Sequence, residues 1–361
     1  MKLVIVGSRG IPASYGGFET FAEEIAVRLQ VSGIDVTVIC QDSTEKPPQY
    51  KNVILLYSLY SKAKHPVKFY FNSLKIGIKN ADLVIVCGVG GAVFYPLLKR
   101  KNTLLITHVD GREELRGKYS ALKKLYVRIA QLCTVKFSDH IIADGFAVRR
   151  HWMNKYNLPE NKISAIEFGA EILADSGKFV SLKLNIVPDD YYLVVCRMVP
   201  ENNLEMIIEG FMKSVSNKKL VLIGDTSGSF GYSLKKHAST QIIFAGGIYE
   251  KALLQSIRVN CFAYIHGHSV GGTNPSLLEA MAASNICICH DNEFNGETTE
   301  GKMRYFKNAA ELAVEILHVE QLNSGQRIEY AELARKRITE YYNWDRITAE
   351  YLKLFNAVTK K

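Results

Sequence analysis

Short runs of aliphatic and β-branched residues recur at 2–6, 35–40, 53–57, 83–87, 103–107, 140–143 and 163–166, with amphipathic stretches between them. In the first such stretch Phe18, Phe21, Ala22, Ile25, Ala26 and Leu29 repeat at close to 3.6 residues, with charged positions on the other face, which predicts a helix with one buried stripe. The intervening runs are apolar throughout rather than alternating. Strands of that kind are buried on both faces, so the pattern predicts a parallel sheet covered by helices on either side. The rhythm stops between 170 and 190, in a polar segment ending in Pro188-Asp189-Asp190 that reads as a linker. It resumes at 191–196, 220–223, 242–245, 262–265 and 286–289. The predicted fold class is α/β, with two doubly wound Rossmann-like domains at 1–170 and 188–340. In such sheets ligands sit beyond the carboxyl ends of the strands, and two domains facing each other would form one cleft. The stretch from Ser324 through Trp344-Asp345 to Val358 reads as two more helices.

The length of 361 residues agrees with two cores rather than one. Composition is that of a globular chain, and the charge is uneven. Residues 1–170 carry 24 Lys and Arg against 14 Asp and Glu, while residues 171–361 carry 21 against 22. The excess clusters in Lys62, Lys64 and Lys68, in Lys99-Arg100-Lys101, in Lys118 with Lys123, Lys124 and Arg128, and in Arg149-Arg150. It is either a solvated surface or a face that leans on an anionic membrane, since basic residues near such surfaces add about 1 kcal/mol each. Nucleic acid is disfavoured as a partner because no recognised binding motif accompanies the charge. The apolar stretch 83–98 contains four glycines or prolines and is too short to span a bilayer, so it reads as strand, glycine turn and helix. The N-terminus enters a strand at once and shows no signal-peptide pattern, so the expected location is the cytoplasm, peripheral on the inner membrane face if the basic half binds lipid. Seven cysteines without a C-x-x-C pair read as reduced core thiols.

The chemistry concentrates at strand ends. His266-Gly267-His268-Ser269-Val270-Gly271-Gly272-Thr273-Asn274-Pro275 is a glycine-rich turn running into a helix, where backbone N–H groups and the helix dipole favour a phosphate. Glu279 follows one helical turn on, placed to bind hydroxyls of whatever carries the phosphate. Arg197, after the first strand of the second domain, offers a fixed fork of donors suited to a diphosphate. Gly246-Gly247-Ile248-Tyr249 again puts glycines at a strand end. In the first domain, Gly7-Ser8-Arg9-Gly10-Ile11-Pro12 ends the first strand and Tyr15-Gly16-Gly17-Phe18-Glu19 opens the first helix, without the dinucleotide G-x-G-x-x-G spacing. Thr107-His108-Val109-Asp110 places a histidine and an acid at a strand end, where both could face a ligand. Asp144-Gly145 reads as a helix cap. No D-x-D or similar acidic pair sits at a strand end, so no metal is expected.

The segment around Glu279 resembles the donor signature of the retaining, nucleotide-sugar-dependent glycosyltransferases of family 4, which have the GT-B fold. The thirteen positions from Gly7 to Glu19, and Pro200-Glu201-Asn202-Asn203, resemble its rhamnosyltransferase-like branch. The resemblance implies that Gly16, Gly17, Asn202, Asn203, Gly246, Ile248, Tyr249, His268, Ser269, Gly271, Gly272, Thr273 and Asn274 surround the donor. It further implies that His108, Asp110, Arg197 and Glu279 serve catalysis, that Arg9, Tyr15, Phe18 and Glu19 lie on the acceptor side, and that a final helix at about 343–361 packs back on the first domain. The chain departs from the family at two places: Asn202 stands where a lysine is usual, and Gly271 where the first of two glutamates is usual. The implied activity is metal-independent, needs no cofactor beyond a dTDP- or UDP-linked donor, and moves a sugar such as rhamnose to a lipid-diphosphate-linked saccharide. A nucleotide-sugar 2-epimerase and a non-catalytic nucleotide-sugar-binding scaffold are the alternatives.

Overall fold

The computed structural model describes all residues except 14–15, 101, 112–118, 173–183 and 360–361, so Tyr15 lies outside the described residues. The chain divides into two compact units, one from the N-terminus to Phe168 plus the last helix, the other from Gly169 to Asn343.

The first unit is an eight-stranded sheet. Its strands are β1 (Lys2–Val6), β2 (Asp35–Cys40), β3 (Gln49–Tyr50), β4 (Val53–Tyr57), β5 (Leu83–Cys87), β6 (Leu104–Val109), β7 (His140–Ala143) and β8 (Ile163–Ala165), in the order β3-β4-β2-β1-β5-β6-β7-β8. Only β3 runs antiparallel, on β4. The apolar runs β5 and β7 are buried at every position, as strands covered on both faces must be. Helices α1 (Gly17–Val31), α2 (Pro66–Asn80), α3 (Ala121–Phe137) and α4 (Phe146–Tyr156) connect them, with a 3-10 helix, Val89–Leu97, between β5 and β6. The stripe Phe21, Ala22, Ile25, Ala26 and Leu29 of α1 is buried. The last helix, Trp344–Thr359, lies on α1: the Tyr351 ring is 5.7 Å from that of Phe21, the Arg28 guanidinium lies over Trp344, and Arg346 pairs with the buried Glu167 at 3.2 Å.

The second unit is a six-stranded parallel sheet of β9 (Tyr191–Val195), β10 (Lys219–Ile223), β11 (Ile242–Gly246), β12 (Ala263–His266), β13 (Cys287–His290) and β14 (Arg304–Phe306), in the order β11-β10-β9-β12-β13-β14. Its connections include α5 (Leu204–Ser214), α6 (Ser229–Leu234), α7 (Lys251–Val259) and α8 (Pro275–Ala282). In each unit the first strand has neighbours on both sides that are reached by connections of opposite direction: β2 and β5 flank β1, and β10 and β12 flank β9. A crevice opens at such a reversal because successive loops diverge there. In the second unit the loops that diverge follow β9 and β12.

Candidate active site

The loop after β9 carries Arg197 and the loop after β12 carries the glycine-rich turn, and short polar side chains stitch the two together. Asn202 donates from Nδ2 to the Arg197 carbonyl at 2.6 Å, and its Oδ1 faces His268 Nδ1 at 2.8 Å. Asn203, in the left-handed region at φ 50°, donates to the Gly267 carbonyl at 2.7 Å. Ser269 donates through both N–H and Oγ to the Glu201 carbonyl, each at 3.0 Å. The loops approach so closely that a Cβ at Gly267 would overlap the Asn202 carbonyl. Asn202, Ser269 and the Asn203 amide nitrogen therefore hold the loops together. The Arg197 guanidinium remains exposed, and no hydrogen bond or ion pair among the described residues engages it.

The turn enters α8 through Asn274, which caps the helix by accepting the Ser276 N–H at 2.9 Å, with Pro275 as first helical residue. Ser276 in turn donates from Oγ to the Val195 carbonyl at 2.7 Å, anchoring the helix start to the end of β9. Asn274 thus satisfies one orphan amide of the helix itself. Among the described residues no protein acceptor takes the N–H groups of Gly271, Gly272 or Thr273, which are buried just ahead of that cap. Amides left open beside a helix N-terminus and an exposed arginine are suited to bind an anion.

At Gly271 a Cβ would overlap His268 Nε2, so the imidazole, fixed by Asn202, covers the place where the family's first glutamate would begin. Positions 202 and 271 are thus linked through one ring, because Asn202 hydrogen-bonds the imidazole whose far edge lies where a Cβ at 271 would stand. Replacing Gly271 with glutamate should cost about 1–3 kcal/mol in stability by overpacking, read from urea unfolding, and removing the ring with His268→Ala should relieve it.

Glu279 is held by Arg258 of α7, a charge-assisted hydrogen bond in which the arginine is buried and the carboxylate about one third exposed. Arg258 carries no local motif that marks it; it is buried on α7 beside Gln255, Ser256 and Ile257, and its role shows only through its pairing with Glu279. Glu201, which the sequence marks only as part of the 200–203 string, is 8% exposed, and neither carboxylate oxygen has a hydrogen-bond partner among the described residues. Gly246 ends β11 with φ 73°, Ile248 is half-buried, and the exposed Tyr249 ring turns back over Gly247.

In the first unit, carboxylates of α1 hold the loop after β1. Glu19 accepts the Arg9 N–H at 2.7 Å and Glu23 accepts the Ala13 N–H at 2.6 Å. Gly16 caps α1 at φ 94° with no side-chain hydrogen bond among the described residues, and a Glu19 carboxylate oxygen lies 3.2 Å from where its Cβ would stand. His108 has a setting different from the expected ligand-facing strand end. It is wholly buried, stacked on Phe168 at 5.5 Å and bounded by Phe18 at 5.4 Å and Phe21 at 4.8 Å, and neither ring nitrogen has a hydrogen-bond partner among the described residues. Asp110 beyond it is half-buried. Asp144 is buried one position ahead of the residue that caps α4, which is Gly145.

Burial among these rings holds His108 at a pKa of about 3, below its ordinary 6.5, because the charged form loses its hydration. The unfolded chain then binds the extra proton between those values, so the contribution of His108 to stability is complete about a pH unit above 6.5 and lost on acidification. Between pH 8 and about 5 the wild type should lose ~2 kcal/mol more than His108→Leu, measured by urea unfolding.

Residues 15–171 match the sequence profile of Glycosyltransferase Family 4, and residues 189–321 match that of Glycosyl transferases group 1. The chain is a glycosyltransferase of the family 4 and group 1 type, built on the GT-B fold. It is 24% identical to an uncharacterized glycosyltransferase of Methanocaldococcus jannaschii, over 98% of each chain. A glycosyltransferase of Rickettsia africae superposes over 100% of this chain and 98% of its own, with a TM-score of 0.72 and 18% identity. Anabaena HepE, in complex with UDP-glucose, superposes over 99% of this chain and 100% of its own, with a TM-score of 0.79 and 14% identity.

Proposed function

We propose that the second unit binds a nucleotide-sugar donor, with the diphosphate against Arg197 and the amides of Gly271, Gly272 and Thr273. The observation that carries this reading is the exposed guanidinium beside a stitched loop with open amides at a strand-order reversal. Glu279 binds the ribose, and Gly246, Ile248 and Tyr249 line the base. The likeness in fold to a protein bound to UDP-glucose supports a donor of this class.

Transfer breaks the bond between the sugar's anomeric carbon and the diphosphate oxygen and forms one to an acceptor hydroxyl oxygen. Negative charge grows on the departing diphosphate, where preorganised donors lower the barrier. The leaving phosphate takes the hydroxyl proton, and the sugar keeps its anomeric configuration. The sugar is rhamnose from dTDP-rhamnose, and the acceptor is a saccharide on a lipid diphosphate in surface-polysaccharide synthesis, received by the first unit through the loop that Glu19 and Glu23 hold. The rhamnosyltransferase-like strings at 7–19 and 200–203 support the donor, and the basic first half supports an acceptor at an anionic membrane surface.

Thermal shift against dTDP-rhamnose, UDP-glucose and UDP-N-acetylglucosamine tests the donor. A ligand at ~100 Kd should stabilise the chain by about 2.7 kcal/mol. Radiolabel should then pass from the stabilising donor to a polyprenyl-diphosphate saccharide, undiminished by chelator. Conversion of the donor alone to an epimer, or no turnover with any donor, would contradict transfer.

A further inference from the structure

Helix α3 is turned the wrong way for a surface helix of a globular protein. Its inward face carries Val127, Ala130, Gln131 and Thr134, all buried. Its outward face carries Leu122 at 81% exposure, Leu125 at 54%, Ile129 at 47% and Leu132 at 57%. The spacing of three, four and three residues puts these four side chains on one stripe. Polar contacts fix this orientation: Tyr156 of α4 donates to Gln131 Oε1 at 2.8 Å, and Tyr126 donates to the Gly90 carbonyl at 2.6 Å. The stripe does not stand alone. Leu97 of the 3-10 helix and Val67 and Phe71 of α2 are also exposed, and the Phe71 ring lies 5.2 Å from that of Phe94, linking α2 to the 3-10 helix.

Among the described residues, the charged side chains of α2 and α3 are all basic. Lys123, Lys124, Arg128 and Lys136 belong to α3, which contains no acidic residue, and Lys64, Lys68 and Lys75 belong to the α2 region. Pairing of this face with a second copy of itself would bring like charges together. An anionic lipid surface satisfies both features at once, taking the leucines into the acyl boundary and the lysines at the headgroups.

We infer that the outward face of α3, continued by Leu97, Val67 and Phe71, docks the protein on anionic bilayers. The inference deepens the proposed function and rests on its lipid-linked acceptor. Its deciding readout, vesicle binding, needs no sugar donor, so its failure is separable from failure of the transfer reading.

The experiment is flotation of the full chain with vesicles of phosphatidylcholine containing about one third phosphatidylglycerol, against phosphatidylcholine alone. Binding to the anionic vesicles, weakened by high salt, is expected. Leu125→Ser with Ile129→Ser should weaken it about thirtyfold, and alanine at Lys123, Lys124 and Arg128 roughly a hundredfold, with unchanged melting and unchanged transfer to a water-soluble acceptor. Ile129→Trp should retain binding and shift its emission to the blue on anionic vesicles, because native Trp152 and Trp344 are buried and contribute a constant background. The inference is overturned by absent vesicle binding, by binding that the serine pair leaves unchanged, by no emission shift at position 129, or by a soluble dimer that the serine pair dissociates.

Discussion

Replacing Arg197 with alanine should lower kcat about 10²- to 10³-fold while leaving the unfolding midpoint where it is. The guanidinium is exposed and no described residue pairs with it, so its removal takes nothing from the folded chain. Its proposed partner is the diphosphate, whose charge grows as the sugar leaves, so the loss belongs chiefly to kcat. Lysine at 197 should restore only part of the rate, because a point charge cannot reproduce the two parallel N–H donors of a guanidinium. Asn202→Ala should act on the same step more weakly and through position, since that side chain holds the Arg197 carbonyl and the His268 ring. Steady-state kinetics paired with thermal melts distinguishes these outcomes. A large fall in melting temperature for Arg197→Ala would assign the arginine a structural role.

Glu279→Ala should affect stability and donor binding together. The variant strands Arg258, buried and without its carboxylate, at a cost of about 3 kcal/mol, and removes a charged acceptor from the ribose, weakening donor binding about ten- to a hundredfold. Arg258→Met should be milder in both respects. Glu279 is about one third exposed and recovers hydration when its partner goes, whereas Arg258 cannot. Urea unfolding and donor titration of the two variants test this asymmetry. Equal costs would show that the pair, rather than the buried cation, sets the stability.

The strands were legible where burial on both faces erases the alternation of polar and apolar residues, as in 83–87 and 140–143. Two strands were not. Gln49–Tyr50 is too short to carry any period, and Arg304–Phe306, at the sheet edge, begins with an arginine paired to Glu315 at 2.6 Å. The helix start at Pro275 was legible because a cap residue and a proline announce it locally. Side-chain settings were less so, since they depend on residues distant in sequence. His108 at a strand end has the local look of a ligand group, yet rings from Phe18, Phe21 and Phe168 enclose it. Gly271 reads as a missing glutamate, while the imidazole that covers its Cβ position is visible only when 202 and 268 are brought together. The carboxylates of Glu19 and Glu23 likewise find their amides only after the loop folds back on α1.

The most direct test of the donor clamp is a crystal structure of the chain soaked with UDP or dTDP. The expected result is a diphosphate within hydrogen-bonding distance of the Arg197 guanidinium and of the amides of Gly271, Gly272 and Thr273, with the ribose on Glu279. A diphosphate bound away from these groups, with Arg197 still facing solvent, would contradict the account.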